Sequence, residues 1–228
     1  MSQEKFPVAF EIGPKRRVFA QALDWIGWCR AGKDEATALK QLQACGLRYA
    51  TVAEQAGFPF GAPSSVEAFE IVERIPGTAT TDFGAPAVLL PSDQQPLEEG
   101  ENERLCRLVS ACWTTFDEAL HHSAVELHEV KPEHGRSLSA MRLHLLETDR
   151  MHLSAFGPAF RQPDPAQVAE QEATTREQLL AELRAIPPKE TLALRRRYGF
   201  VWTPRFAVRR SAWHALDHAW EIQDRDGK

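Results

Sequence analysis

Cysteine is scarce and scattered: Cys29, Cys45, Cys106 and Cys112 form no Cys-x-x-Cys pair, and a chain of 228 residues does not need disulfide staples. They are expected to be reduced, mostly buried thiols in a cytoplasmic protein. No stretch approaches the roughly 18 uninterrupted apolar residues of a membrane helix. The stretch from Thr78 toward Pro91 is broken by Asp82, Gly84 and Pro86, so no membrane is expected as a partner. The opening residues, Met1 to Pro7, lack the basic then apolar order of a secretory signal, and export is not expected. Positive charge is short as well. Lys+Arg number 27 against 32 Asp+Glu, a formal net charge of −5, which leaves no surplus to hold phosphates and excludes nucleic acid as an expected partner. Phosphate-binding and nucleophile-elbow motifs are missing: there is no Gly-x-x-x-x-Gly-Lys-Ser/Thr, no Gly-x-Gly-x-x-Gly after a strand and no Gly-x-Ser-x-Gly.

What is present is ordinary globular material, 43% hydrophobic and 26% charged, enough for one large domain or two modest ones. The texture changes along the chain. Before about residue 78, Phe6-Pro7-Val8-Ala9-Phe10-Glu11-Ile12 alternates, Gly13-Pro14-Lys15 turns, and Val18 to Leu23 can pair back as a hairpin. Asp34 can cap a helix carrying Leu39, Leu42, Leu47 and Val52, and Ala68 to Ile75 reads as a third strand. This gives a small β-β-α-β domain over residues 1–77. Residues 78–102, with Gly84, Pro86, Pro91, Pro96 and the acidic run Glu98-Glu99-Gly100-Glu101, read as a linker.

Over residues 103–228 the period becomes helical. Leu105, Val109, Cys112, Trp113, Phe116 and Leu120 mark one helix. A second, capped by Ser137, carries Leu138, Met141, Leu145 and His152 on one side. The third and fourth open at Asp164-Pro165 and Thr203-Pro204, where proline suits the first helical position. Four amphipathic helices pack most simply as a four-helix bundle, so the fold class expected is α+β. Lys189 to Trp202 reads as a long connection with some helix in it.

The histidines carry the chemistry. At about 100° per residue, His214 and His218 share a stripe with Glu221 and Arg225, beside an aromatic stripe of Phe206, Trp213, Leu216 and Trp220 that must be buried. Two imidazoles one turn apart can offer nitrogens to one divalent ion. A His-x-x-x-His pair can equally be a solvated surface pair. His144, on the second helix beside Ala140, Thr148 and Met151, could supply the third imidazole; His121 or His122 is the substitute if it faces away. His128 and His134 read as solvated. Glu147 and Glu221, each three residues after a candidate ligand, are the candidate catalytic carboxylates: they could orient imidazoles, act as bases, bind metal, or simply pair with Arg142, Arg150 or Arg225. Trp113, Trp213 and Trp220 read as core, and Cys112 as packing that could look into the site.

One His on the second helix and His-x-x-x-His on the fourth resembles the DinB superfamily of metalloenzyme-like four-helix bundles. The matching words are Gly135-Arg136-Ser137-Leu138 leading into Leu143-His144-Leu145, and Arg209 to Ile222 around His214 and His218. The resemblance covers about residues 103–226 and implies His144, His214 and His218 as ligands of Zn, Ni or Fe. It also implies a low-molecular-weight thiol as cosubstrate, in a thiol-dependent transferase or hydrolase-like reaction on a small-molecule substrate. A weaker resemblance links Val18 to Cys29 and Gly32 to Leu39 with the HicB-like β-β-α-β domain, whose fold alone is carried over. A homodimer is compatible with this reading. The alternative is a non-catalytic partner-binding or metal-sensing protein with the first domain as docking module.

Overall fold

A computed structural model describes residues 5–123, 136–189, 195–197 and 200–226. Among the described residues it is a mixed α+β structure with a four-stranded sheet and seven α-helices. Strand β1 (Phe6–Ile12) and strand β2 (Val18–Ala22) form the antiparallel hairpin, with Val8 opposite Ala22 and Ile12 opposite Val18. Arg16 takes φ 72°, the left-handed backbone that lets the chain reverse between them. Strand β3 (Cys29–Gly32) adds on to β2, and β4 (Phe69–Pro76) runs parallel to β1, giving the order β3-β2-β1-β4. The four residues of β3 are too few and too mixed to show an alternation, so sequence periodicity does not reveal this strand.

Between β3 and β4 the helical segment divides into α1 (Glu35–Ala44), capped by the Asp34 side chain on Thr37 N–H at 2.7 Å, and α2 (Gly46–Gln55). Pairing across the strands puts Val8, Phe10, Val18 and Ala20 in one core with Leu42, Tyr49 and Val52. Trp28 sits at its centre, touching Phe6, Tyr49, Phe60 and Phe69 with ring centroids 5.2–5.6 Å from Phe60, Phe6, Tyr49 and Phe69, while its indole N–H donates to the Leu42 carbonyl. Burying a side chain of this size contributes about 1.5–3 kcal/mol.

Beyond β4 come α3 (Ala79–Phe83), α4 (Glu101–His122), α5 (Leu138–Leu153), α6 (Val168–Arg184) and α7 (Pro204–Asp226). Ser137 caps α5 by accepting from Ala140 N–H, and Thr203 accepts from Phe206 N–H at the start of α7. A turn of 3-10 helix, Pro165–Gln167, precedes α6. Helix α4 packs on α6 and α7, and α5 packs on the same two. The described parts of 189–202 are not helical: β5 (Arg195–Arg197) pairs antiparallel with β6 (Phe200–Trp202). Gly135, His128 and His134 lie outside the described residues.

The second face of the sheet meets α7. Phe19 stands edge-on to Trp213 at 6.1 Å, and the tight loop after β2 comes so close that a Cβ on Gly27, at φ 89°, would lie 2.9 Å from Leu216 and 3.1 Å from Cys112 Sγ. Residues 78–102 lie along this junction. The buried Glu11 carboxylate accepts from Thr81 Oγ1 at 2.6 Å and from Ala87 N–H at 2.8 Å, and Leu90, Asp93 and Leu97 are buried. Among the described residues no helix is long and apolar enough to cross a membrane.

Candidate metal centre

Helix α7 is buried nearly all round, because the sheet covers it on one side and α4 and α5 on the others. Phe206, Trp213, Leu216 and Trp220 are buried, and so are His214 and His218, at 7% and 5% exposure. The neighbouring α5 brings in His144, half-buried. The ring centroids of His144 lie 4.8 Å from His214 and 5.8 Å from His218, and those of His214 and His218 are 4.7 Å apart. One nitrogen from each ring lies within 4.8 Å of the other two. His214 Nε2 and His218 Nε2 approach to 3.1 Å.

Burial disfavours the charged form of two of these rings, His144 and His214. Burial pushes the His144 imidazolium down to about 4, with Arg136 and His218 adding to the effect. Burial holds His214 well below 6.5, and its two histidine neighbours lower it further. Neutral imidazole is the form that offers a lone pair to a metal. Two of the rings are also held in place. His214 stacks on Trp213 at 5.7 Å and an interplanar angle of 16°. His218 Nδ1 lies 3.1 Å from Glu221 Oε2, so a proton on Nδ1 donates to the carboxylate and leaves Nε2 facing the cluster. That hydrogen bond is the first cause of the lowered Glu221 pKa, with Arg225 helping and burial opposing. Arg225 pairs with the other Glu221 oxygen and donates to the Arg136 carbonyl at 2.9 Å.

The residues present fit a divalent cation. Two nitrogens each about 2.0–2.1 Å from a tetrahedral zinc ion lie about 3.3–3.4 Å apart, close to the 3.1 Å between the two Nε2 atoms. The donor type, three neutral imidazoles, suits zinc, nickel or iron and leaves positions open for further ligands.

The two carboxylates singled out by spacing take different places. Glu221 touches His218, whereas Glu147, at the same three-residue offset from His144, accepts from Gln162 Nε2 at 3.2 Å and has no contact with the three rings among the described residues. Arg142 pairs instead with Glu172 at 2.7 Å. His121 and His122 are exposed at the end of α4. Cys112 points toward the Ile26 carbonyl at 4.0 Å, on the sheet side, and burial drives its thiol pKa up. A cavity of about 870 Å³ opens near the start of α7, but its Arg205 and Arg209 are taken up by Glu101 and Asp93 and it includes none of the three histidines. His152, on the core side of α5, shares the α5/α7 seam with the buried Asp149 and Ser211, two residues to which the sequence pattern assigns no role. Their spacing from Leu145 and His214, by three, four and seven residues, is the signal that could have found them.

Comparison of the chain with protein-family models, curated proteins and solved structures gives no match.

Proposed function

We propose that this chain is a divalent-metal-dependent enzyme of DinB type, with α4 to α7 as its four-helix bundle and His144, His214 and His218 as the metal ligands. The observation that carries the reading is the convergence of three imidazole nitrogens, from two separate helices, within 4.8 Å. A divalent cation held there supplies positive charge that favours the deprotonated form of a thiol or water brought to it. The chain's own residues do the rest. Glu221 fixes the His218 tautomer, Arg225 fixes Glu221, and Trp213 sets the plane of the His214 ring. Three neutral ligands leave the charge of the cation uncompensated, which favours an anionic reactant such as a thiolate from a low-molecular-weight thiol. The reaction class is a thiol-dependent transfer or a hydrolysis of a small molecule. A screen of thiol conjugation with and without a chelator tests it: turnover that chelator removes and zinc, nickel or iron restores is expected, and turnover unaffected by full metal removal contradicts it.

One observation favours a second reading, a non-catalytic partner-binding protein, with the contact in the segment that follows residues 1–77 rather than in that domain itself. Phe83 is 92% exposed, and its neighbour Asp82 accepts from the backbone of the basic turn at Lys15 and Arg17. Aromatic side chains and arginine are the residue types enriched at protein contacts. Retained metal without turnover, together with partner capture that Phe83→Ala abolishes, is the pattern this reading requires.

A further inference from the structure

The chain is short of positive charge as a whole, yet one concavity gathers four cations. A cavity of about 410 Å³ lies between the turn that joins β1 to β2 and the end of β3, lined by Lys15, Arg16, Arg17 and Lys33, with Ala31 and Gly32 among them. All four charged residues are exposed. With these four set aside, the formal net charge of −5 becomes −9 on the rest of the chain. Among the described residues none of the four side chains has a carboxylate within ion-pair distance, whereas Arg74, Arg205, Arg209 and Arg225 each have one.

The carboxylates that flank the cavity are spent on other donors. Asp82 accepts from the backbone N–H groups of Lys15, at 2.7 Å, and of Arg17, at 3.4 Å. Asp34 caps α1 through Thr37 N–H, and Glu35 pairs with Arg74 at 3.1 Å. The buried Glu11 is taken up by Thr81 Oγ1 and by the N–H groups of Ala87 and Val88. Four like charges around one small cavity repel one another, a cost that a bound anion relieves. The fold nonetheless fixes their backbone. Gly13 N–H donates to the Arg17 carbonyl at 2.8 Å, Arg16 N–H donates to the Gly13 carbonyl at 2.9 Å, and Arg16 sits at φ 72°. A turn tied down in this way presents three consecutive cations before any ligand arrives, which lowers the ordering cost of binding.

The surroundings narrow the ligand. A bilayer surface or a long nucleic acid would extend past the cavity over a protein of formal charge −9, which repels it. A short anionic segment meets only the cations. Beside them stands Phe83, 92% exposed, and its neighbours on either side both meet the turn: Asp82 through the two N–H groups, and Gly84, where a Cβ would lie 3.5 Å from Arg17 Nη1. We propose that this concavity is a docking site for an acidic polypeptide segment of a partner protein, with its carboxylates on Lys15, Arg16, Arg17 and Lys33 and an apolar side chain against Phe83. The proposal rests on the partner-binding reading for its use of Phe83 and gives that partner a chemistry; the four-cation site is independent of whether the histidine cluster turns over a substrate.

The test titrates the full chain into a short fluorescein-labelled peptide of glutamates around one leucine and follows anisotropy. The same peptide with glutamine for glutamate, a labelled DNA strand of equal length and phosphatidylserine vesicles are run beside it. Binding of the glutamate peptide alone is expected, weakening as salt rises from about 0.01 M to about 0.15 M and the Debye length falls from about 30 Å to about 8 Å. Arg17→Glu combined with Lys33→Glu is expected to weaken it about tenfold, because two exposed ion pairs are lost and two like-charge contacts are added. Arg16→Asn, which keeps a residue tolerant of the left-handed backbone, is expected to weaken it about two- to fivefold and to leave thermal unfolding unchanged. No binding of the glutamate peptide at low salt, equal binding of its glutamine counterpart, or tighter binding of the DNA strand or the vesicles would overturn the proposal. Peptide binding that Phe83→Ala removes and the charge reversals leave intact would overturn the acidic chemistry while the partner-binding reading stands. Loss in the charge-reversal variant with no effect of Phe83→Ala would support the four-cation site and remove the Phe83 contact.

Discussion

The two faces of α7 solve the same problem, polar side chains out of water, in opposite ways. Toward the sheet, the buried Arg209 reaches Asp93 with two nitrogens at 2.9 and 2.5 Å, and also meets Gln21 and the Val88 carbonyl, and among the described residues the Gln21 amide nitrogen and the Trp213 indole N–H go without a partner. Toward α5, three imidazoles converge, and His214 Nδ1 and both ring nitrogens of the neighbouring His152 have no protein partner among the described residues. A network closed on itself holds the structure together. Converging groups left open are where a ligand belongs.

The largest effect should come from breaking the closed face. Arg209→Met leaves the Asp93 carboxylate buried without its countercharge and is expected to cost about 3–5 kcal/mol in denaturant unfolding, while the double variant with Asp93→Leu recovers most of it. Neither change should alter metal content in the folded protein.

The open face should respond to ligand instead. Zinc at about a hundred times its Kd is expected to stabilise the wild-type chain by about 2.7 kcal/mol, and His214→Ala should abolish that gain in a thermal shift assay. Glu221→Gln, which weakens the acceptor behind His218, is expected to lower metal affinity by about 10–100-fold in chelator competition. Glu147→Gln should leave that affinity unchanged, because its carboxylate faces Gln162.

The smallest effect is a pH dependence. Burial holds the His152 ring below its usual 6.5, so on acidification the unfolded chain takes up a proton that the folded one refuses. In the metal-free protein, stability should therefore be fully present above pH 6.5 and fall as the pH drops toward the depressed folded value. His152→Leu should make the acid side of a stability-against-pH curve less steep, and an unchanged slope would show that the ring protonates freely in the fold.

Local signals in the sequence carried a definite part of this. The Asp34, Ser137 and Thr203 caps and the buried aromatic stripe of α7 follow from short-range rules, and the period of 3.6 residues put His214 and His218 on one stripe. Pairings across long sequence distances did not show. Arg209 meets Asp93 across 116 residues, and β4 joins β1 in parallel only after two helices intervene. Spacing also could not separate Glu147 from Glu221, since both stand three residues after a histidine. What separates them is the direction each side chain takes once its helix has packed, toward Gln162 in one case and toward His218 in the other.

The central claim is that His144, contributed by α5, completes a cation site with the pair on α7. Elemental analysis of the purified full chain, beside its His144→Ala variant, addresses this most directly. One equivalent of divalent metal per chain, with at least a tenfold loss of affinity in the variant, is the result predicted. A wild-type chain that takes up no metal, or a variant that binds as tightly as the wild type, would contradict it.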